Sequence, residues 1–167
     1  FIPDVLTVAE AFRPYFRLGT FRNMLSFGLF EQNNDYTQFM MPSGALIGAN
    51  LEPLDTQNIK EQVRYARYNS GSNLHPLRGE TEAAPNKAGA YTWLKAPRYK
   101  DQPMEVGPLA RVAISYLSNV ESVKTEVDAL LGRFNADINA VFSVLGRYAA
   151  RAIECKLICQ QAREWLD

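Results

Sequence analysis

The last third of the chain limits the fold more than any other part. In "DINAVFSVLGRYAARAIECKLICQQAREWLD", Ile138, Val141, Phe142, Leu145, Ala149, Ala152, Ile153, Leu157 and Trp165 recur at helical spacing. A helix of that length with so broad an apolar stripe must lie against other elements rather than project into water. Two shorter helical patterns precede it: "PLARVAISYLSNV", opened by Pro108 at a first-turn position, and "SVKTEVDALLGRF". Three such helices in succession ask for more partner surface than a small sheet supplies.

The first two-thirds alternate between periods. "PDVLTVAEAFRPYFRLGT" predicts a helix capped by Asp4, shortened or kinked by Pro14 and stopped at Gly19. A strand follows from about Arg22 to Phe30, then a loop at "EQNND". "YTQFMM", Pro42-Ser43-Gly44 and "ALIGANLEPL" predict a hairpin with its turn at the proline. "DTQNIKEQVRYARYNS" predicts a helix capped by Asp55 and running out at Asn69-Ser70-Gly71. A long polar loop occupies 70–90, and "YTWLKA" is strand-like. The class is therefore α+β, with a small antiparallel sheet in the first two-thirds and a helical C-terminal third dominated by one long helix. We expect a single domain over 1–167, a mixed part at 1–105 leading into a helical part at 106–167.

Composition sets outer bounds. At 47% hydrophobic and 22% charged over 167 residues, the chain has ordinary globular character. Lys plus Arg equals Asp plus Glu at 18 each, so no long-range field favours nucleic acid or an anionic membrane. No apolar run approaches the roughly 20 residues needed to span a bilayer. The opening Phe1-Ile2-Pro3 has no charged leader, and the chain reads as an internal piece of a longer protein.

Few residues suggest chemistry. There is no phosphate-binding glycine loop and no nucleophile elbow. Cys155 and Cys159 share a helix face, but two ligands fall short of a zinc or iron–sulfur site, and core packing is expected for both. His75, the only histidine, is held extended by Pro76 and is either a hydrogen bonder at a contact surface or a ring satisfied by loop backbone. Lys95 and Arg98 flank Ala96-Pro97 and could present two cations to a partner's carboxylates, against the plain reading of exposed turn charges. Glu105, between Met104 and Val106, needs a cation, and Arg98 or Arg111 is the nearest.

"WLKAPRYKDQPMEVGPLARV" resembles a stretch of the large subunit of nickel–iron hydrogenases. "NMLSFGLF", "NSGSNLHPLRGET", "FSVLGRYAARAIECKLI" and "EWLD" resemble segments of the same subunits in the same order, so the likeness spans nearly the whole chain. It is nearest in kind to the membrane-bound or periplasmic uptake type. The resemblance implies a whole protein that oxidises dihydrogen at a nickel–iron centre bearing cyanide and carbon monoxide. Electrons would pass to an iron–sulfur small subunit.

In that family four cysteinates from two Cys-x-x-Cys motifs hold the metals. Neither motif occurs here, since "ECKLIC" is Cys-x-x-x-Cys. The resemblance thus implies no catalytic, cofactor or metal-binding residue within this stretch, which would be inactive alone and serve as structure and subunit interface. His75, Lys95 and Arg98 would face the small subunit, and Glu105 with Arg111 would form an internal pair at the start of the following helix. A periplasmic or membrane-associated site is implied, with the cytoplasm as the alternative. Self-association through the last helix is also expected. The competing reading is a stand-alone scaffold of the same fold without a metal centre.

Overall fold

The computed structural model describes residues 2–35, 37–69, 71 and 73–166. Tyr36, Ser70, Ser72 and Asp167, placed by the sequence reading in a strand, at a helix end, in the long loop and at the end of the last helix, lie outside the described residues. Backbone contacts divide the chain into two compact units, 1–54 with 105–167, and 55–104.

The first unit holds α1 (Ile2–Ala11), β1 (Met24–Glu31), β2 (Phe39–Ile47), β3 (Asn50–Glu52), α2 (Pro108–Leu117), α3 (Glu121–Phe134) and α4 (Val144–Leu166). Pro14 acts as expected: α1 stops at Ala11 and a single 3-10 turn, Arg13–Tyr15, takes over. The sheet is antiparallel in the order β1-β2-β3, with Met24 opposite Leu46 and Ala45 opposite Glu52. The expected turn at Pro42-Ser43-Gly44 is absent. β2 runs straight through it, Ser43 pairing with Phe27 and Gly44 with Ser26. Pro42 is tolerated because β3 reaches only Ala45–Ile47, which leaves the strand open on one side at the proline. The chain reverses later, at Gly48-Ala49.

α2 is the centre of this unit. Leu109, Ala110, Val112, Ala113, Ile114 and Ser115 are all buried, because β1 and β2 cover one side of the helix and α3 and α4 the other. The shared core runs from Met24, Met41 and Leu46 through Ile114 to Val123, Val127, Ile153 and Leu157. Burial of such side chains stabilises by about 1.5–3 kcal/mol each. Gly107 caps α2 at φ +107° and ψ −161°, a backbone state closed to other L-residues, and Pro108 opens the helix as its sequence predicts.

The long C-terminal helix starts later than its pattern suggests. Asp137 caps a 3-10 turn, Ile138–Phe142, and Ser143 then caps α4, its Oγ accepting from the Gly146 N–H at 3.0 Å. Gly146 is required there: a Cβ would sit 1.9 Å from the Val141 carbonyl oxygen. Among the described residues no helix is long and apolar enough to cross a membrane.

The second unit departs most from expectation. Asp55 does cap, accepting from the Gln57 N–H at 3.0 Å, but what it caps is one 3-10 turn, Thr56–Asn58. The expected helix is replaced by β4 (Ile59–Gln62), paired antiparallel with β5 (Ala96–Tyr99), Ile59 opposite Tyr99 and Gln62 opposite Ala96. Strand pairing across a long separation overrides a helical pattern that local sequence supports weakly around Ile59, Val63 and the tyrosines. The strand foreseen at "YTWLKA" lies downstream, over Pro97 and Arg98. Val63, Ala66 and Tyr99 form its small buried centre.

Candidate functional site

In the second unit the sequence candidates are largely occupied from within. Lys95 Nζ lies 3.2 Å from Glu61 Oε2, 2.8 Å from Thr81 Oγ1 and 5.6 Å from the Tyr68 ring centre. Its side chain is only 16% exposed. The expected outward-pointing cation is therefore an internal tie joining β4, the long loop and the residue before β5. Lys87, not foreseen, does similar work, donating to the carbonyls of Val63 and Tyr68 at 2.8 Å each. His75 accepts at Nδ1 from the Leu77 N–H at 3.2 Å, so its hydrogen sits on Nε2 and is donated to the Thr56 carbonyl at 3.1 Å. Both ring nitrogens are thus engaged by backbone. Arg98 is half-buried in β5 and donates to the Pro97 carbonyl at 2.8 Å.

In the first unit Glu105 and Arg111 both form ion pairs, but not with each other. Glu105 takes a forked bond from Arg147, Nε to Oε1 at 2.8 Å and NH2 to Oε2 at 2.6 Å. Arg147 NH1 also donates to the Gly19 carbonyl at 2.8 Å. The bond to Glu105 raises the Arg147 pKa above its ordinary value, so the guanidinium stays charged across the working range. Glu105 is further fixed by its backbone, its N–H donating to Asn23 and its carbonyl accepting from Leu25 beside β1. Arg111, on α2, reaches α4 instead, bonding Glu154 through Nε and, at 3.0 Å, through NH2. Glu154 is 7% exposed, and its burial is tolerable only because the fork satisfies both oxygens. Sequence reasoning saw that Glu105 needed a cation but chose the neighbours in the chain. The signal for Arg147 and Glu154 would have been their place on α4, one beside Gly146 and the other beside Ile153.

Neither cysteine is buried. α4 turns Gly146, Ala150, Ile153 and Leu157 inward, which leaves Cys155 and Cys159 on the exposed side. Core packing is thus overturned for both. α1, α3 and α4 border an apolar cleft lined by Leu6, Phe16, Leu130, Phe134 and Ala149 among others, with the Glu126–Lys156 pair beside it. Among the described residues no three His, Cys, Asp or Glu side chains gather in a way that could hold a metal ion.

The strands and the helical stack make a fold found elsewhere. The profile of the nickel-dependent hydrogenase family matches residues 1–167. The periplasmic NiFeSe hydrogenase large subunit of Desulfomicrobium baculatum is 33% identical over 99% of this chain and 34% of its own length. The uptake hydrogenase large subunit of Rhodobacter capsulatus is 32% identical over 100% of this chain and 33% of its own. Among solved structures, the D. baculatum NiFeSe hydrogenase superposes with a TM-score of 0.83 at 32% identity, covering 98% of this chain and 35% of that one. The chain belongs to the nickel-dependent hydrogenase family. It spans about a third of the length of the relatives it matches.

Proposed function

We propose that this chain serves within a hydrogenase large subunit as protein shell and subunit-facing surface. The whole protein would oxidise dihydrogen reversibly to protons and electrons, at a nickel–iron centre held by residues outside this stretch, with electrons leaving through an iron–sulfur small subunit. What supports the reading is a family match over every residue together with a 0.83 TM-score to a hydrogenase of known structure. The forks Arg147–Glu105 and Arg111–Glu154 then act as scaffold, fixing the entry to α2 and the α2–α4 contact. In the second unit, Arg98 is the candidate that faces the small subunit, with His75 and Lys95 holding the loop around it. Relatives named as periplasmic and uptake enzymes support a periplasmic or membrane-associated location.

The test is made on the full-length gene product co-expressed with its small subunit. Arg98→Glu is expected to lower recovery of the small subunit and hydrogen uptake together. Unchanged recovery and unchanged uptake would remove the interface role from this unit.

A further inference from the structure

With Lys95 and His75 engaged internally, the second unit leaves a different group of side chains at its surface. The segment at Tyr65–Tyr68 runs beside Tyr91–Trp93, with the Tyr91 N–H on the Tyr65 carbonyl at 3.1 Å and the Arg67 N–H on the Thr92 carbonyl at 2.9 Å. Ala66 is buried at a turn between them, while Tyr65 is exposed and Arg67 half-buried. The result is two short stacks. Tyr65 and Tyr91 lie 5.7 Å apart at an interplanar angle of 28°, with the Arg64 guanidinium 5.1 Å from the Tyr65 ring centre. Trp93 meets Tyr68 edge-on at 5.8 Å, with Arg67 at 5.9 Å from the indole. Tyr91 is 76% exposed and the adjoining Leu94 78%, values that packing within the unit does not explain.

We propose that this arginine–aromatic ladder is the surface that docks the small subunit, against a partner face carrying carboxylates among apolar side chains. The inference rests on the large-subunit reading above and names the part of the second unit that makes the contact. Tyr, Trp and Arg are the residues that dominate protein interfaces, Tyr and Trp because they offer large rigid area at low entropic cost and Arg because its planar fork binds carboxylates. The charge of the partner follows from the charge here. The charged members of the ladder, Arg64 over the Tyr65 ring and Arg67 beside the Trp93 indole, are both cations. A nucleic acid is disfavoured because bases need open ring faces. Here Tyr65 and Tyr91 stack on each other, and Arg67 lies against Trp93.

The test places the photocrosslinker p-benzoylphenylalanine at Tyr91 in the full-length protein co-expressed with its small subunit, and separately at Arg98. Irradiation is expected to join position 91 to the small subunit. Arg64→Glu, at an exposed site, is expected to cut small-subunit recovery at least tenfold with far-UV circular dichroism unchanged. Crosslinks from position 91 that land only within the same polypeptide or on nucleic acid overturn the proposal. If position 98 reaches the small subunit and position 91 does not, the ladder is refuted and the subunit-facing reading survives. If neither reaches it, both fall.

Discussion

Replacing Arg111 by methionine removes the cation from a carboxylate that the fold has enclosed. Glu154 has a side chain only 9% exposed, and both its oxygens are taken by the Arg111 fork. Deleting one member of a buried pair costs about 3–5 kcal/mol, because the other is left charged and dry. Arg111 itself is 26% exposed, so water can reach part of the vacated site, and the lower end of that range applies. About 3 kcal/mol corresponds to a loss of roughly a hundredfold or more in the folding constant. With an unfolding slope of about 2 kcal/mol per molar urea, the midpoint falls by about 1.5 M. The Arg111→Met, Glu154→Leu double variant should regain most of this, since paired apolar groups of similar volume replace a buried ion pair at little cost. Urea unfolding followed by far-UV circular dichroism on wild type, both single variants and the double closes the cycle. A single variant within about 0.5 kcal/mol of wild type, or a double variant as weak as the sum of the singles, refutes the reasoning, surface changes typically staying inside that margin.

Gly146→Ala should be among the most damaging small changes, by about 4 kcal/mol or more, because its Cβ meets the Val141 backbone rather than a side chain that could move; thermal unfolding reads it directly. Tyr116 donates to Asp128 at 2.8 Å, and this bond above all raises the phenol pKa. The stability it contributes is therefore complete below the ordinary tyrosine range and lost as pH rises through the raised value. Ultraviolet titration should show a late component that is lost in Tyr116→Phe and moves earlier in Asp128→Asn. Cys155 and Cys159 should both react with a maleimide in the native protein at rates near those of a free thiol, as mass spectrometry would show; protection of either contradicts its exposure.

What could be read in advance was what depends on neighbours in the chain. Pro108 at the start of α2, the shortening of α1 before Pro14 and the span of α3 follow from local backbone rules, and all are as the sequence predicts. Failures came where distant pairing decides. Ile59–Gln62 carries a helical pattern, yet Ala96–Tyr99 claims it as a strand. Pro42 looks like a turn until the shortness of β3 is known. Cysteines four apart were assigned to one face correctly, but which face α4 buries is set by Ala150, Ile153 and Leu157 against α2 and α3, which composition does not reveal. Glu105 announced its need for a cation, while Arg147 stands 42 positions along the chain.

The Arg147 fork has a consequence for how such a chain can change over time. Glu105 is where the polypeptide rejoins the first unit after its excursion through Asp55–Met104. Its side chain is gripped from α4 and its backbone is clasped beside β1. The point of return is therefore secured by the first unit's own helices and strands, whatever the excursion contains. Lengthening or trimming a flexible tract between fixed ends alters closure entropy by only about 0.6 kcal/mol per doubling. Evolution, or an engineer, can thus change the length of flexible loops within the inserted stretch at small closure cost, while the return into α2 stays fixed by the first unit's own bonds.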